Sequence, residues 1–492
     1  MNFRFLLSML FLLHYLVEIT IGQPASPVQW TLEEIIDLGL DHGLDMLEAN
    51  YIHEDAQWSY QQSMSLFKPW ITLDGNLPNY TRTVQEIVQP DGSLEFQPIQ
   101  YNNSAVGLSA SQVISSTGGR IFFNSDLQRF DNFATQKKNY NGLPFRFGFE
   151  QPLLQFNPLK WTRKLAPLRR NQADKAYLYS IEEFSTRIVQ QFFNMVAKQM
   201  DLDIATSNQQ NNDTLYQIAL ERHALGKISQ NDLLQLKRES IQAKKDLISA
   251  EVALDNARDQ LSAFLGLSNR LEGMFISPDL PLIAHINYSL AITKAMANHP
   301  EKYYYQLKEL ESQRDLDRAK KMKFGASIQA SAGLVRSSPD LTEIYRDPQN
   351  EQALSLKLTI PISTGGFNVA EIKKQEALNK FANEEIHQFE KDFQVEVILL
   401  CRSLENSVQE LNYTHELNLI AQERYTISKN RYLYGDISIT DLTLSIREKD
   451  LAQREYLQAL QSAWINYYKL RAITLFDFLN NKDIDHFLPH FN

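Results

Sequence analysis

Two serine–aspartate pairs, Ser229-x-x-Asp232 and Ser438-x-x-Asp441, carry the side chains whose type and spacing most invite a chemical role. Three residues apart at a helix start, a serine can accept the N–H of the acid while the acid reaches back to the serine N–H, a variant of the capping box. Three residues before each serine stands a glycine, Gly226 or Gly435, that interrupts otherwise helical sequence and suits the left-handed position that ends a helix. Each pair is therefore expected at the tip of a helical hairpin. Capping alone accounts for both aspartates, and a further use of either charge stays open.

Other chemistries are thin. No HExxH, GxSxG or phosphate-binding glycine loop occurs, so nothing argues for an enzyme or a cofactor. His53-Glu54-Asp55 is the nearest run to a metal site. It lacks a second histidine one helical turn on, and is expected on a solvated helix face. Cys401 is the single cysteine, which rules out an intrachain disulfide, and its setting VILLCRSL predicts a buried thiol. A net charge of −10 and a pI near 5.6 give no reason to bind nucleic acid.

The elements that place the two tips repeat as well. Arg222–Ser240 and Arg431–Lys449 share eight of nineteen residues at an offset of 209, and the same offset pairs Pro152 with Pro361, Ala173 with Ala382, Phe184 with Phe393 and Tyr216 with Tyr425. An ungapped repeat of so long a period implies an internally duplicated fold rather than a solenoid. Each half shows helix, strands, long helix, tip, helix. The expected organisation is a signal peptide at 1–22, a first repeat at 23–266, a linker at 267–288, a second repeat at 289–479 and a tail at 480–492. The signal rests on Arg4 followed by an apolar run from Phe5 to Leu13, too short to span a bilayer.

The first helix is expected from Thr31 as cap to about Phe67, and its counterpart from Ser289 to about Lys323 with a break near Pro300. Strands are expected at about 70–151 and 325–360, where short alternating segments such as FRFGFE and ASIQASAGL are flanked by turn residues. Half one holds 49 extra residues there, the difference between the 258-residue offset of the helix starts and the 209-residue offset downstream. Alternation of this kind fits either an ordinary half-buried sheet or a barrel wall with one wet and one lipid face. Aromatic residues (Phe96, Tyr101, Phe122, Phe123, Phe130, Phe133, Tyr140, Phe145, Phe147, Phe149) concentrate in this region and would form a core in the first case and lipid interfaces in the second. Pro152 and Pro361 mark each switch from strand to helix. From Pro158 to Arg222 the sequence implies one helix on the order of 95 Å long. After the tips, Ala243, Leu247, Ala250, Leu254, Ala257, Leu261 and Phe264, and then Ala452, Tyr456, Ala459, Ala463, Asn466, Leu470 and Ile473, step by alternating fours and threes, a coiled-coil seam.

The paired tips, the two prolines, ISTGGFNVAEIKKQEA, ALDNARDQLSAFLGL and the signal segment together resemble the TolC-type outer-membrane efflux channels, over Trp30 to about Leu479. The resemblance implies a mainly α fold with β: long coiled-coil-like helical hairpins forming an α-barrel, plus a transmembrane β-barrel, completed by homotrimerisation. Four to six strands per chain fall short of the roughly eight that close a barrel, and four from each of three chains would give about twelve. Further implications are a place in the outer membrane of a Gram-negative bacterium extending into the periplasm, and partners in a periplasmic adaptor protein, an inner-membrane pump and outer-membrane lipid. Asp441 takes the place of a carboxylate ring at the periplasmic entrance gate, and the family's second acidic position falls on Leu444. Leu225, Gly226 and Lys227, with Gly435 and Asp436 at the other tip, resemble the surface that meets the adaptor. Drug, metal-ion and protein export all use this plan. The rival reading is a periplasmic or surface-attached coiled-coil scaffold without a pore.

Overall fold

A computed structural model describes residues 28–279 and 285–484. The expected signal segment, part of the linker and the end of the tail lie outside the described residues. Two compact units emerge: residues 28–48, 180–279, 285–291 and 398–484 form one, and residues 49–179 and 292–397 the other.

In the first unit, β1 (Gln29–Trp30) pairs in parallel with β7 (Met274–Phe275). Helix α1 (Leu32–His42) starts from a full capping box, in which Thr31 N–H donates to Glu34 Oε2 (2.8 Å) and Glu34 N–H to Thr31 Oγ1 (3.3 Å). The expected single helix to Phe67 is two helices, α1 and α2 (Leu44–Ser65), divided at Gly43. A methyl group on Gly43 would come within 2.5 Å of the Phe184 ring, so the break lets that ring into the core. Around it Phe184, Ile188, Phe192, Phe193 and Met195 of the 67-residue helix α3 (Pro158–Ala224) are at most 1% exposed. Helix α4 (Gln230–Phe264) follows the first tip. Helix α8 (Phe367–Tyr434), 68 residues long, leads to the second tip and α9 (Ile439–Thr474) leaves it. All fourteen seam positions of α4 and α9 are buried or half-buried, as a heptad stripe facing neighbouring helices must be. Cys401 on α8 is fully buried, and burial pushes its thiol up to about 11, which keeps it protonated and unreactive.

Helix α5 (Tyr288–Asn298) is capped two residues earlier than expected: Asn287 Oδ1, in place of Ser289, accepts the Leu290 N–H at 3.1 Å. In the second unit, α6 (Pro300–Lys321) begins at its proline, capped by His299. There His53 corrects the solvated-face expectation. Glu54 and Asp55 are exposed, but His53 is 2% exposed, stacks on Tyr177 and meets Asp174 Oδ1 at 2.8 Å. Among the described residues no cluster could hold a metal ion.

The second unit also holds an antiparallel sheet of seven strands: β2 (Trp70–Asn76), β3 (Tyr80–Val88), β4 (Leu94–Ile114), β5 (Gly119–Asn132), β6 (Lys137–Leu153), β8 (Gly325–Ser338) and β9 (Gln349–Thr359). A short helix α7 (Leu341–Arg346) links the last two. The order across the sheet is β2-β4-β5-β6-β8-β9, with β3 paired only to the outer half of β4. Six strands therefore lie side by side, the upper end of the four to six expected, because the extra residues of half one join the sheet. Pro152 falls inside β6, opposite Ser327 of β8. On its other side the ladder to β5 has already ended at Glu150, so its missing N–H costs no ladder bond there. Pro361 lies two residues beyond β9.

The two faces of the sheet differ chemically. On one, Leu73, Phe147, Leu354 and Leu356 are 57–76% exposed. On the other, Thr72 meets Ser109 at 2.6 Å, and Arg146 reaches Glu351 at 2.6 Å past Gly333, whose missing side chain leaves the path open. A core sheet hides its apolar face, whereas this one displays it, and Phe145, Phe147 and Phe149 stand on it 39–57% exposed. That is the arrangement of a wall between lipid and water. Phe122 is an exception on the polar side and is buried. No described helix is long and apolar enough to cross a membrane.

Candidate functional site

The two tips are built by matching local rules. At the first, Gly226 (φ +69°) donates to His223 O at 2.9 Å and Lys227 N–H to Arg222 O at 2.9 Å. At the second, Gly435 (φ +87°) donates to Tyr432 O and Asp436 N–H to Arg431 O, both at 3.0 Å. These are Schellman closures, which a glycine in the left-handed region permits. Ser229 and Ser438 then start α4 and α9. Ser229 Oγ accepts from Asp232 N–H (3.1 Å) and Ser438 Oγ from Asp441 N–H (3.2 Å), while each acid accepts from its serine N–H at 3.2 Å.

A side chain added to Gly435 would meet no atom within 4 Å, so only the backbone resists substitution. Gly435→Ala is expected to destabilise the tip by about 1–2 kcal/mol. Faster hydrogen exchange at the Gly435 and Asp436 amides, with bundle amides unchanged, is the check; unchanged tip exchange would contradict the argument.

The tips pack against each other. Leu215, Ala219 and Leu236 of the first hairpin and Tyr432, Ile439 and Leu442 of the second form one buried cluster. Arg222 crosses between them: its guanidinium donates to Leu433 O at 2.6 Å and lies 5.8 Å from the centre of the Tyr432 ring. Behind this cluster Lys449 and Asp450 are each 8% exposed and 3.0 Å apart. Asn208 of α3 donates to Asp450 at 2.6 Å, and the Lys449 ammonium lies 4.9 Å from the centre of the Tyr425 ring. Arg222 and this buried pair escaped the sequence reading, since neither belongs to a short motif or to the seam.

Asp441 is exposed. The Ser438 hydroxyl, then the Ser438 N–H, and more weakly the charge of Arg431, hold its carboxyl below the usual carboxylate range, so it is ionised at neutral pH. It lines an open groove of about 490 Å³ with Glu423, Arg424, Arg431 and Leu444. Leu444 is 49% exposed there, and Arg424 is ion-paired with Glu448. Leu225 projects from the first tip, 70% exposed. Tip one and tip two thus share a fold and differ in the charge they present: Lys227 stands where Asp436 does.

Apolar residues also repeat every seven positions on open faces of two helices. Leu234, Ile241 and Ile248 on α4, and Tyr413, Ile420, Ile427 and Tyr434 on α8, are 52–85% exposed. Stripes of this spacing suit a neighbouring coiled-coil helix.

Residues 35–267 match the model of the outer membrane efflux protein family. No curated protein matches the chain by sequence. Among solved structures, CusC, described with its transmembrane channel formation, is 15% identical with a TM-score of 0.62, over 92% of this chain and 95% of that one. The CmeC outer membrane channel of Campylobacter jejuni is 14% identical at 0.62, covering 90% and 85%. The outer membrane protein VceC of Vibrio cholerae is 12% identical at 0.61, covering 92% and 96%. At such identities the structures establish a common fold over nine-tenths of the chain. Residues 35–267 match the outer membrane efflux protein family, a family of channels rather than enzymes, and the fold is the one shared by the outer membrane channels named above.

Proposed function

We propose that the protein is a passive channel-tunnel in the outer membrane of a Gram-negative bacterium. It exports substrates from the periplasm or an inner-membrane pump as part of a tripartite efflux or type I secretion system. The observation that carries this reading is the sheet with an exposed apolar face and a polar face, which a soluble scaffold has no use for. The exposed heptad stripes support a homotrimer, in which α4 and α8 of adjacent copies cover one another.

At the periplasmic end three copies of Asp441 crowd negative charge at the entrance, with Leu444 as its uncharged neighbour. Opening moves the paired hairpins apart at their tips. Leu225, Gly226 and Lys227, with Gly435 and Asp436, offer the surface for a periplasmic adaptor, and the energy comes from the pump.

Planar-bilayer recording on the purified channel tests this. Discrete conductance steps are expected, and Asp441→Asn should weaken block by divalent cations about tenfold, because three carboxylates leave one narrow place. Asp232→Asn removes the same capping acid from the other tip and should leave block unchanged. Equal effects of both substitutions would reduce Asp441 to a helix cap; silence from the wild type would sink the channel.

A further inference from the structure

The 49 extra residues of half one become barrel wall, and their placement changes the strand count of the assembly. At the repeat offset of 209, β8 and β9 fall on residues 116–129 and 140–150, the positions of β5 and β6. The hairpin of β2 and β4 has no counterpart in half two. It is not a plug or a loose loop. β4 forms fourteen consecutive pairs with β5, from Tyr101 opposite Asn132 to Ile114 opposite Gly119, and β2 forms seven with β4. Side-chain fit joins them too: Gly107 of β4, without a side chain, leaves room for Asp126 of β5. The face alternation runs through unbroken, with Ile71 and Leu73 of β2 exposed on the same side as Leu354, Leu356 and Leu358 of β9.

The outer edges of β2 and β9 are both left open. In lipid an open edge strands backbone N–H and C=O groups at several kcal/mol each, so spanning sheets close. Six strands are too few to close on themselves. An even number of strands in antiparallel order sets β2 and β9 in opposite directions, so β9 of one copy meets β2 of the next as an antiparallel neighbour.

We propose that β9 of each copy pairs with β2 of the next, so that three copies close a barrel of eighteen strands rather than twelve. This rests on the trimer of the preceding section. At a strand spacing of about 4.8 Å and a tilt of about 40°, eighteen strands give a backbone diameter of about 36 Å, against about 24 Å for twelve. The barrel then holds a wide aqueous lumen lined by Asp74, Asp126, Lys357 and the Arg146–Glu351 pair, and the narrow point of the channel is left to the tips.

Cysteine cross-linking in the full-length channel, with the buried Cys401 replaced (Cys401→Ala), tests the pairing. Thr72→Cys on β2 is combined in turn with Ser355→Cys and Lys357→Cys on the lumen side of β9, and a parallel set places Asn124→Cys on β5 instead. Copy number is read from the mass of the same particles. Intermolecular cross-links between β2 and β9 in a three-copy particle are the expected result. Cross-links from β9 to β5 would mean that the hairpin stands outside the wall, giving twelve strands and overturning the proposal. Three-copy particles with no β2–β9 cross-link overturn it while leaving the trimer intact. Two-copy particles carrying the β2–β9 link overturn both the count and the trimer.

Discussion

Replacing Arg471 with methionine is expected to cost about 3–5 kcal/mol of stability, the usual penalty for leaving one member of a buried ion pair without its partner. The Arg471 guanidinium donates to Glu182 Oε1 at 2.8 Å, where the Glu182 side chain is 1% exposed, and lies 3.7 Å from Asp477. The Tyr468 ring centre is 4.9 Å away and Tyr467 donates to Asp477 at 2.6 Å, so this cluster ties α3 to α9 and to the turn after α9. Methionine fills the volume and removes the cation, so Glu182 loses the guanidinium in a site where its side chain is 1% exposed. Thermal or denaturant unfolding of Arg471→Met beside wild type is the measurement. Adding Glu182→Gln to Arg471→Met should restore part of the loss, since the two residues act as one unit. A single variant within about 1 kcal/mol of wild type would show that the pair is replaceable packing.

How far this fold is legible in sequence depends on the range of the interactions concerned. The tips are readable because glycine, serine and aspartate act within six residues of one another, and the heptad seams are readable because burial repeats along one helix. The break at Gly43 is different. The helical pattern runs through it without interruption, and the Phe184 ring, 141 residues away, leaves no room for a side chain there. Lys449–Asp450 with Asn208, Arg222 with Leu433 and Arg471 with Glu182 are likewise pairings across the bundle that no local pattern announces. His53 illustrates the same limit from the other side: its neighbours Glu54 and Asp55 are solvated as their charges suggest, while Asp174 draws the histidine inward. In the sheet, alternation revealed strands but not whether the apolar face is covered, since period two is common to a core sheet and a barrel. Pairing aligns the apolar positions of the strands on one open side. The added hairpin was visible as 49 surplus residues, and its place in the wall became visible only through its register with β5.

Acid should loosen the second unit through His299. This side chain caps α6 by accepting the Glu301 N–H on Nδ1 at 3.3 Å, and its ring sits 4.8 Å from Phe393 and 5.0 Å from Tyr179, leaving the residue 7% exposed. Burial lowers its pKa from 6.5 to about 4. The cap needs the neutral ring, because a protonated Nδ1 cannot accept. The folded state thus binds a proton less readily than the unfolded chain, and stability present above pH 6.5 is lost as pH falls toward 4. At 1.36 kcal/mol per unit that loss totals about 3 kcal/mol. Asparagine keeps an oxygen for the cap and has no titration in this range. His299→Asn is therefore expected to start from a lower stability, through lost ring packing, and to lose about 3 kcal/mol less than wild type between pH 6.5 and 4. Chemical denaturation across that interval reads the difference in slope. Parallel curves for the two proteins would assign the acid sensitivity to carboxylates elsewhere and leave His299 as a packing residue.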